Sequence, residues 1–206
     1  MKTLVTGGVR AGKSLHAEGL LAAHPAVTYV VPGPVHDDAE WAARVAELRR
    51  RRPPSWTTLE TGDLAEALWT PGPVLVDSLG TWLTRLVDEA GMWDARAEDL
   101  ASYVDEEAGA ALAALTRTDA DRVLVTSEVG LGIIPEHRSG RLYRDLLGRE
   151  TQPGEVADLQ PRLPLVDRRH QLRRVGDVIQ PDHVPEFVQH HPAQGFRRLL
   201  GRVRAV

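Results

Sequence analysis

The 206-residue chain has a formal charge of −4, with 42% hydrophobic and 26% charged residues. That is the balance of a soluble domain long enough to bury a core, and it argues against a nucleic-acid-wrapping surface. There are no cysteines, which excludes a disulfide framework, a thiol nucleophile and a thiolate metal site.

The N-terminus runs directly into Thr3-Leu4-Val5-Thr6 without the pattern of a signal peptide. No apolar run approaches the roughly 20 residues that span a bilayer. A cytoplasmic protein is expected, without membrane insertion and without a nucleic-acid partner. Only Lys2 and Lys13 among the 25 basic residues are lysines, so arginine is the default cation and a lysine at position 13 stands out.

Residues 2–6 read as a short strand, followed by a glycine-rich turn and an amphipathic helix from Ser14 to about Ala23. A second strand is expected over 26–31, ended by Pro32-Gly33-Pro34, and a helix over 36–51, stopped by Pro53-Pro54. A short helix over 63–69 and a turn at 71–73 precede Val74-Leu75-Val76, a continuous apolar run of the kind found in buried parallel strands. Leu100, Val104, Ala108, Ala111, Leu112 and Leu115 keep helical spacing over 96–117. A strand over 122–126 and a helix over 136–148 follow. Alternating strands and helices predict an α/β fold, mainly a parallel sheet covered on both faces. After Gly148 the texture changes. Residues 149–206 hold ten arginines, six prolines and four of the eight histidines, with poor strand and helix signals. The expected division is therefore a nucleotide-binding unit over 1–148 and an atypical segment over 149–206.

Gly7-Gly8-Val9-Arg10-Ala11-Gly12-Lys13-Ser14 matches the P-loop pattern in full, between a strand and a helix as the motif requires. Its glycines let backbone N–H groups turn toward phosphate oxygens, and the helix start adds its positive dipole end. Lys13 brings a point charge to the β- and γ-phosphates of ATP or GTP, and the Ser14 hydroxyl suits Mg²⁺. Asp77, at the end of the next apolar run, reads as the second Mg²⁺ partner or as a helix cap. Glu128 ends the strand at 122–126 and reads either as an acid facing the same site or as part of a capped turn. Arg49-Arg50-Arg51-Arg52 reads as a solvated helix end or as a triphosphate clamp. The histidines show no metal-ligand spacing.

Together these motifs resemble one family, the bifunctional adenosylcobinamide kinase/adenosylcobinamide-phosphate guanylyltransferases of cobalamin biosynthesis. The resemblance covers residues 1–148 and begins with Thr6 to Ser14, Ala17-Glu18 and Tyr29. It continues through Arg44, Arg52-Pro53, Trp56, Glu60 and Val76-Asp77-Ser78-Leu79, and ends with Glu128-Val129-Gly130, Pro135 and Gly140-Arg141 with Arg144-Asp145.

It implies a RecA-like P-loop domain, a homo-oligomer (a trimer in many members), and two activities. One phosphorylates the aminopropanol hydroxyl of adenosylcobinamide from ATP or GTP. The other transfers GMP from GTP to the phosphate so formed. Nucleotide contacts carry over to Gly7–Ser14, Pro32, Gly33, Pro34, Arg49, Arg50, Arg51, Arg52, Glu60 and Asp77. Lys13, Asp77 and Glu128 are the expected catalytic residues, with Ser14 and Asp77 on Mg²⁺.

Three departures stand out. The histidine that carries GMP in this family falls at Leu48, preceded by Glu47. The small Ala-Thr pair after the second strand is replaced by Val31-Pro32. The segment after Gly148 lacks the family's closing helix and strand pattern, and its composition is that of a GC-rich gene read out of frame. Other readings of the chain are a P-loop kinase with a different acceptor and a nucleotide-binding protein without turnover.

Overall fold

The computed structural model describes residues 1–33, 39–130, 132–151 and 204–205. Its elements in chain order are β1 (Lys2–Val5), α1 (Lys13–Leu20), β2 (Thr28–Val30), α2 (Ala39–Arg51), β3 (Thr57–Leu59), α3 (Leu64–Trp69), β4 (Val74–Asp77), α4 (Leu79–Ala90), α5 (Ala97–Thr116), β5 (Arg122–Val125), α6 (Arg138–Thr151) and β6 (Arg204–Ala205). The strands form one sheet in the order β3-β2-β4-β5-β1-β6, and every pair in it is parallel. The P-loop strand β1 and the acid-bearing strand β4 are therefore separated by β5, which is the RecA-like arrangement that the resemblance implies.

Two cores flank the sheet, as the alternation of strand side chains requires. Val5, Tyr29, Val31, Leu75, Val123 and Val125 face α1 and α2, where Ala17, Leu21, Val45, Leu48 and Trp56 cover them. Leu4, Val30, Val74, Val76 and Leu124 face the other way, toward α3, α4, α5 and α6. Central strands covered on both faces read as unbroken apolar runs, which is why Val74-Leu75-Val76 and Val123-Leu124-Val125 were visible in the sequence.

Arg122 opens β5 and is only 1% exposed. Its guanidinium donates to the carbonyls of Leu68, Thr70 and Gly72. It thereby satisfies acceptors left over at the end of α3 and in the turn after it, where no helical partner exists.

The structure adds three elements that the sequence reading leaves unassigned, β3, α4 and β6. β3 is only three residues long, too short for a periodicity to show. α4 is capped by Ser78, whose hydroxyl accepts from the Thr81 amide in a reciprocal cap. The cap is therefore Ser78 and not Asp77, whose carboxylate is left for other use. The helix expected to stop at Gly148 continues to Thr151, and Arg204–Ala205 pairs with Thr3 and Leu4 at the sheet edge. Residues 152–203 lie outside the described residues.

Glu150 on the last turn of α6 is 5% exposed and adjoins a small apolar cavity lined by Leu83, Ala111, Leu115 and Leu147. Burial and the neighbouring Asp105 carboxylate push its pKa up to about 8. Asp105 itself pairs with Arg149 at 2.9 Å, while Glu150 Oε2 is buried without a hydrogen-bond partner. A solvated glutamate releases its proton near 4.5, so between the two values the folded chain binds more protons than the unfolded one. Stability should fall as pH rises through that window, by on the order of 5 kcal/mol, and level off above about pH 8. Glu150→Gln, neutral throughout, should flatten this slope in urea denaturation series. A slope unchanged by the substitution would place its origin elsewhere.

Candidate functional site

The turn between β1 and α1 is shaped by backbone that few side chains tolerate. Gly12 sits at φ 85° directly before α1, and Arg10 also takes a left-handed conformation at φ 58°. The Ala11 amide closes onto the Gly8 carbonyl at 3.3 Å, and the His16 amide onto Gly12 at 3.0 Å. The Lys13 ammonium donates back to the Gly8 carbonyl at 2.7 Å, so the loop's own carbonyl holds the charge that a phosphate would take over. Val9 is 81% exposed, and Gly8, Arg10, Ala11 and Gly12 are exposed with it. Ser14 is half-buried on the first turn of α1. The Glu128 amide donates to the Gly7 carbonyl at 3.1 Å, fixing the start of the loop to the chain leaving β5.

Register places the acid against this loop. Val125 pairs with Val5 on one side and with Asp77 on the other, so Asp77 stands level with the last residue of β1. Strand spacing sets the two backbones roughly 10 Å apart. The Asp77 side chain is 6% exposed and accepts from the Tyr29 hydroxyl at 2.6 Å through Oδ2. Burial, and then the negative charge of Asp77, raise the Tyr29 pKa far above its usual value, which keeps the phenol a donor. Among the described residues no donor reaches Oδ1.

The Arg49–Arg52 run does not act as one unit. Arg49 pairs with Glu60 at 2.6 Å, and Arg50 pairs with Glu47 within the helix. Arg51 grips Glu18 of α1 with two bonds, at 3.1 and 2.7 Å. Arg52 lies 3.6 Å over the Tyr29 ring and is only 7% exposed. Its Nε donates to the Leu48 carbonyl, while Nη1 and Nη2 are buried without a hydrogen-bond partner. Burial pulls its pKa below the usual arginine value.

Leu48 is 8% exposed and packs in the core beside Val45 and Trp56. Pro32 and Gly33 are buried, and the Gly33 carbonyl accepts from Arg85 at 3.2 Å. Pro34 lies outside the described residues. Glu128 is exposed. The fold thus gathers the P-loop, Asp77 and Glu128 at the carboxyl edge of the sheet. The arginines, by contrast, spread along the α1–α2 seam.

The Tyr29 hydroxyl and the Glu18–Arg51 bridge carry structural weight that the sequence reading did not assign. Their signal is a polar residue at an inward position of an apolar element. Among the described residues no cluster of three or more His, Asp or Glu forms a metal cage. A hydroxyl and a single carboxylate oxygen instead suit Mg²⁺, which retains waters and binds through phosphates.

This geometry defines a P-loop nucleotide-binding domain of the RecA-like type. A model of the cobinamide kinase/cobinamide phosphate guanyltransferase family matches residues 3–158. The bifunctional adenosylcobalamin biosynthesis proteins CobU of Salmonella typhimurium and of Escherichia coli are each 39% identical over 161 residues, 74% of this chain and 88% of theirs. CobP of Pseudomonas aeruginosa, with the same description, is 36% identical over 154 residues, 72% of this chain and 83% of its own. The chain belongs to this family. Among the described residues no helix is long and apolar enough to cross a membrane.

Tyr29→Phe removes the Tyr29 hydroxyl that donates to the buried Asp77 carboxylate, a contact of about 1.5 to 3 kcal/mol. The expected outcome is roughly tenfold weaker Mn²⁺ binding to the complex with a non-hydrolysable ATP analogue, measured by electron paramagnetic resonance. Unaltered Mn²⁺ affinity would reduce the hydroxyl to a packing role.

Proposed function

We propose that this chain phosphorylates the aminopropanol hydroxyl of adenosylcobinamide using ATP or GTP, and does not form the covalent GMP intermediate of guanylyl transfer. Family membership, the complete P-loop and the level placement of Asp77 support the kinase half. In this reading Gly7–Ser14 bind the β- and γ-phosphates through backbone N–H groups, and Lys13 exchanges its bond to Gly8 for one to the phosphates. Ser14 and Asp77 hold Mg²⁺, which supplies positive charge to the transferring group when bound. Glu128 takes the proton of the attacking hydroxyl as its oxygen bonds to the γ-phosphorus and the bond to the β-phosphate breaks. The homo-oligomeric assembly implied by the resemblance, a trimer in many members, and the cytoplasmic setting expected from the sequence belong to the same proposal.

The observation that carries the second half is Leu48. A phosphoramidate intermediate needs an imidazole nitrogen with an available lone pair. Leu48 offers carbon alone and is packed into the core. Glu47, the residue before it, is engaged with Arg50 and would bring negative charge toward the triphosphate. Phosphoryl transfer to a hydroxyl requires no such nucleophile, since positioning and charge neutralisation suffice.

Lys13→Ala should lower cobinamide phosphorylation by on the order of 10²–10³ in rate, as removal of one transition-state charge contact does. A rate within about tenfold of the parent chain would remove the P-loop from the mechanism.

With GTP radiolabelled at the α-phosphate, the chain should acquire no acid-labile covalent label, and such labelling would contradict the proposal. Leu48→His places an imidazole at the family position. It should cost on the order of 1–3 kcal/mol, because a buried aliphatic side chain gives way to a polar one. Label gained by that variant would identify the missing nitrogen as the cause.

A further inference from the structure

On the sheet face away from α1, α4 and α6 border an open cleft of about 670 Å³, within the size range of small-molecule sites. Trp93 and Tyr143 present rings to it, while Asp94, His137, Ser139 and Thr84 bring hydrogen-bonding groups. Its walls are fixed. Arg138 donates to the carbonyls of Trp93 and Ala95, which ties the loop after α4 to the first turn of α6. The Trp93 indole donates to Asp88. A side chain at Gly80 would collide with the Tyr143 hydroxyl, so the missing Cβ is what lets the phenol lie against the first turn of α4.

The cleft is joined to the phosphate site from two directions. Gly80, against which Tyr143 rests, is the third residue after Asp77. Arg144, the neighbour of Tyr143, donates to the carbonyls of Gly130 at 2.7 Å and Gly132 at 3.2 Å. That loop leaves Glu128, whose amide holds Gly7. A ligand in the cleft therefore lies beside the α4 turn that follows the acid, on the opposite sheet face from α1. Among the described residues Arg138 is the sole Arg or Lys lining the cleft, and backbone carbonyls occupy its guanidinium. This composition does not suit a second phosphorylated ligand.

We propose that this cleft binds the ring system of the acceptor: a broad, flat molecule rimmed with amide groups and carrying no phosphate. Its face packs on Trp93 and Tyr143, its amides hydrogen-bond with Asp94, His137 and Ser139, and its hydroxyl-bearing arm crosses the Gly80 turn toward Asp77. The inference rests on the cobinamide kinase reading above and adds where the acceptor sits.

The test uses dicyanocobinamide, a coloured acceptor analogue, in equilibrium dialysis with the full chain. In parallel, KM and kcat for cobinamide and Kd for an ATP analogue are measured. Trp93→Ala should weaken dicyanocobinamide binding and raise the acceptor KM by about tenfold, with nucleotide Kd unchanged. Ser139→Arg, at an exposed position on the cleft wall, should do the same by filling the cleft without touching the core, and it serves as the reading if Trp93→Ala fails to fold. If both variants leave acceptor KM and Kd unaltered while the parent chain phosphorylates cobinamide, the cleft assignment is overturned and the kinase reading stands. Loss of nucleotide affinity in both variants would also overturn it. A parent chain that neither binds nor phosphorylates cobinamide would instead refute the kinase reading, and the cleft assignment with it.

Discussion

The insertion of β5 between β1 and β4 is the constraint on which the site depends. Parallel pairing on both edges of β5 aligns Val5 and Asp77 with the same residue, Val125. One strand thus sets the phosphate loop and the acid at a common height, with a strand's width of space between them. The same strand then supplies the Glu128 amide that holds Gly7. A one-residue slip in this register would point Asp77 at the opposite core. The buried β-branched residues of β4 and β5 make such a slip costly.

The second determinant is the treatment of charge along the seam between α1 and α2. Four consecutive guanidinium groups at the end of one helix repel one another, and the fold separates them. Arg49, Arg50 and Arg51 each meet a different carboxylate. Arg52 turns inward over an aromatic face, where a weakly hydrated planar cation is tolerated better than an ammonium would be. Stacked beneath it, Tyr29 spends its hydroxyl on Asp77. The end of α2 is thereby connected to the candidate metal acid through one ring. Leu48 completes this packing as an aliphatic residue, in a position where the family resemblance places a reactive one.

Much of this was legible in the sequence, for identifiable reasons. The P-loop is a local motif whose glycines and lysine act within eight residues. The central strands are apolar runs bounded by Pro, Gly and acidic residues. Asp77 could be read as the end of such a run, but not as distinct from the helix cap, because Asp77-Ser78 offers two capping residues in succession. Only coordinates show that Ser78 takes that role. The Tyr29–Asp77 bond spans 48 residues of sequence and arises from the lateral pairing of β2 with β4, which no local pattern encodes. The dispersal of the arginine run was equally hidden. A helix end rich in cations looks alike whether its side chains converge on a ligand or each find a separate carboxylate.

The central claim is a kinase that has kept phosphoryl transfer and lost the covalent step. Mass spectrometry of the corrinoid after incubation with adenosylcobinamide, Mg²⁺ and either ATP or GTP tests it most directly. The account predicts a product heavier by one phosphoryl group with either nucleotide, and no product carrying GMP even with GTP in excess. A corrinoid that carries GMP, or one that returns unmodified under both conditions, would contradict it.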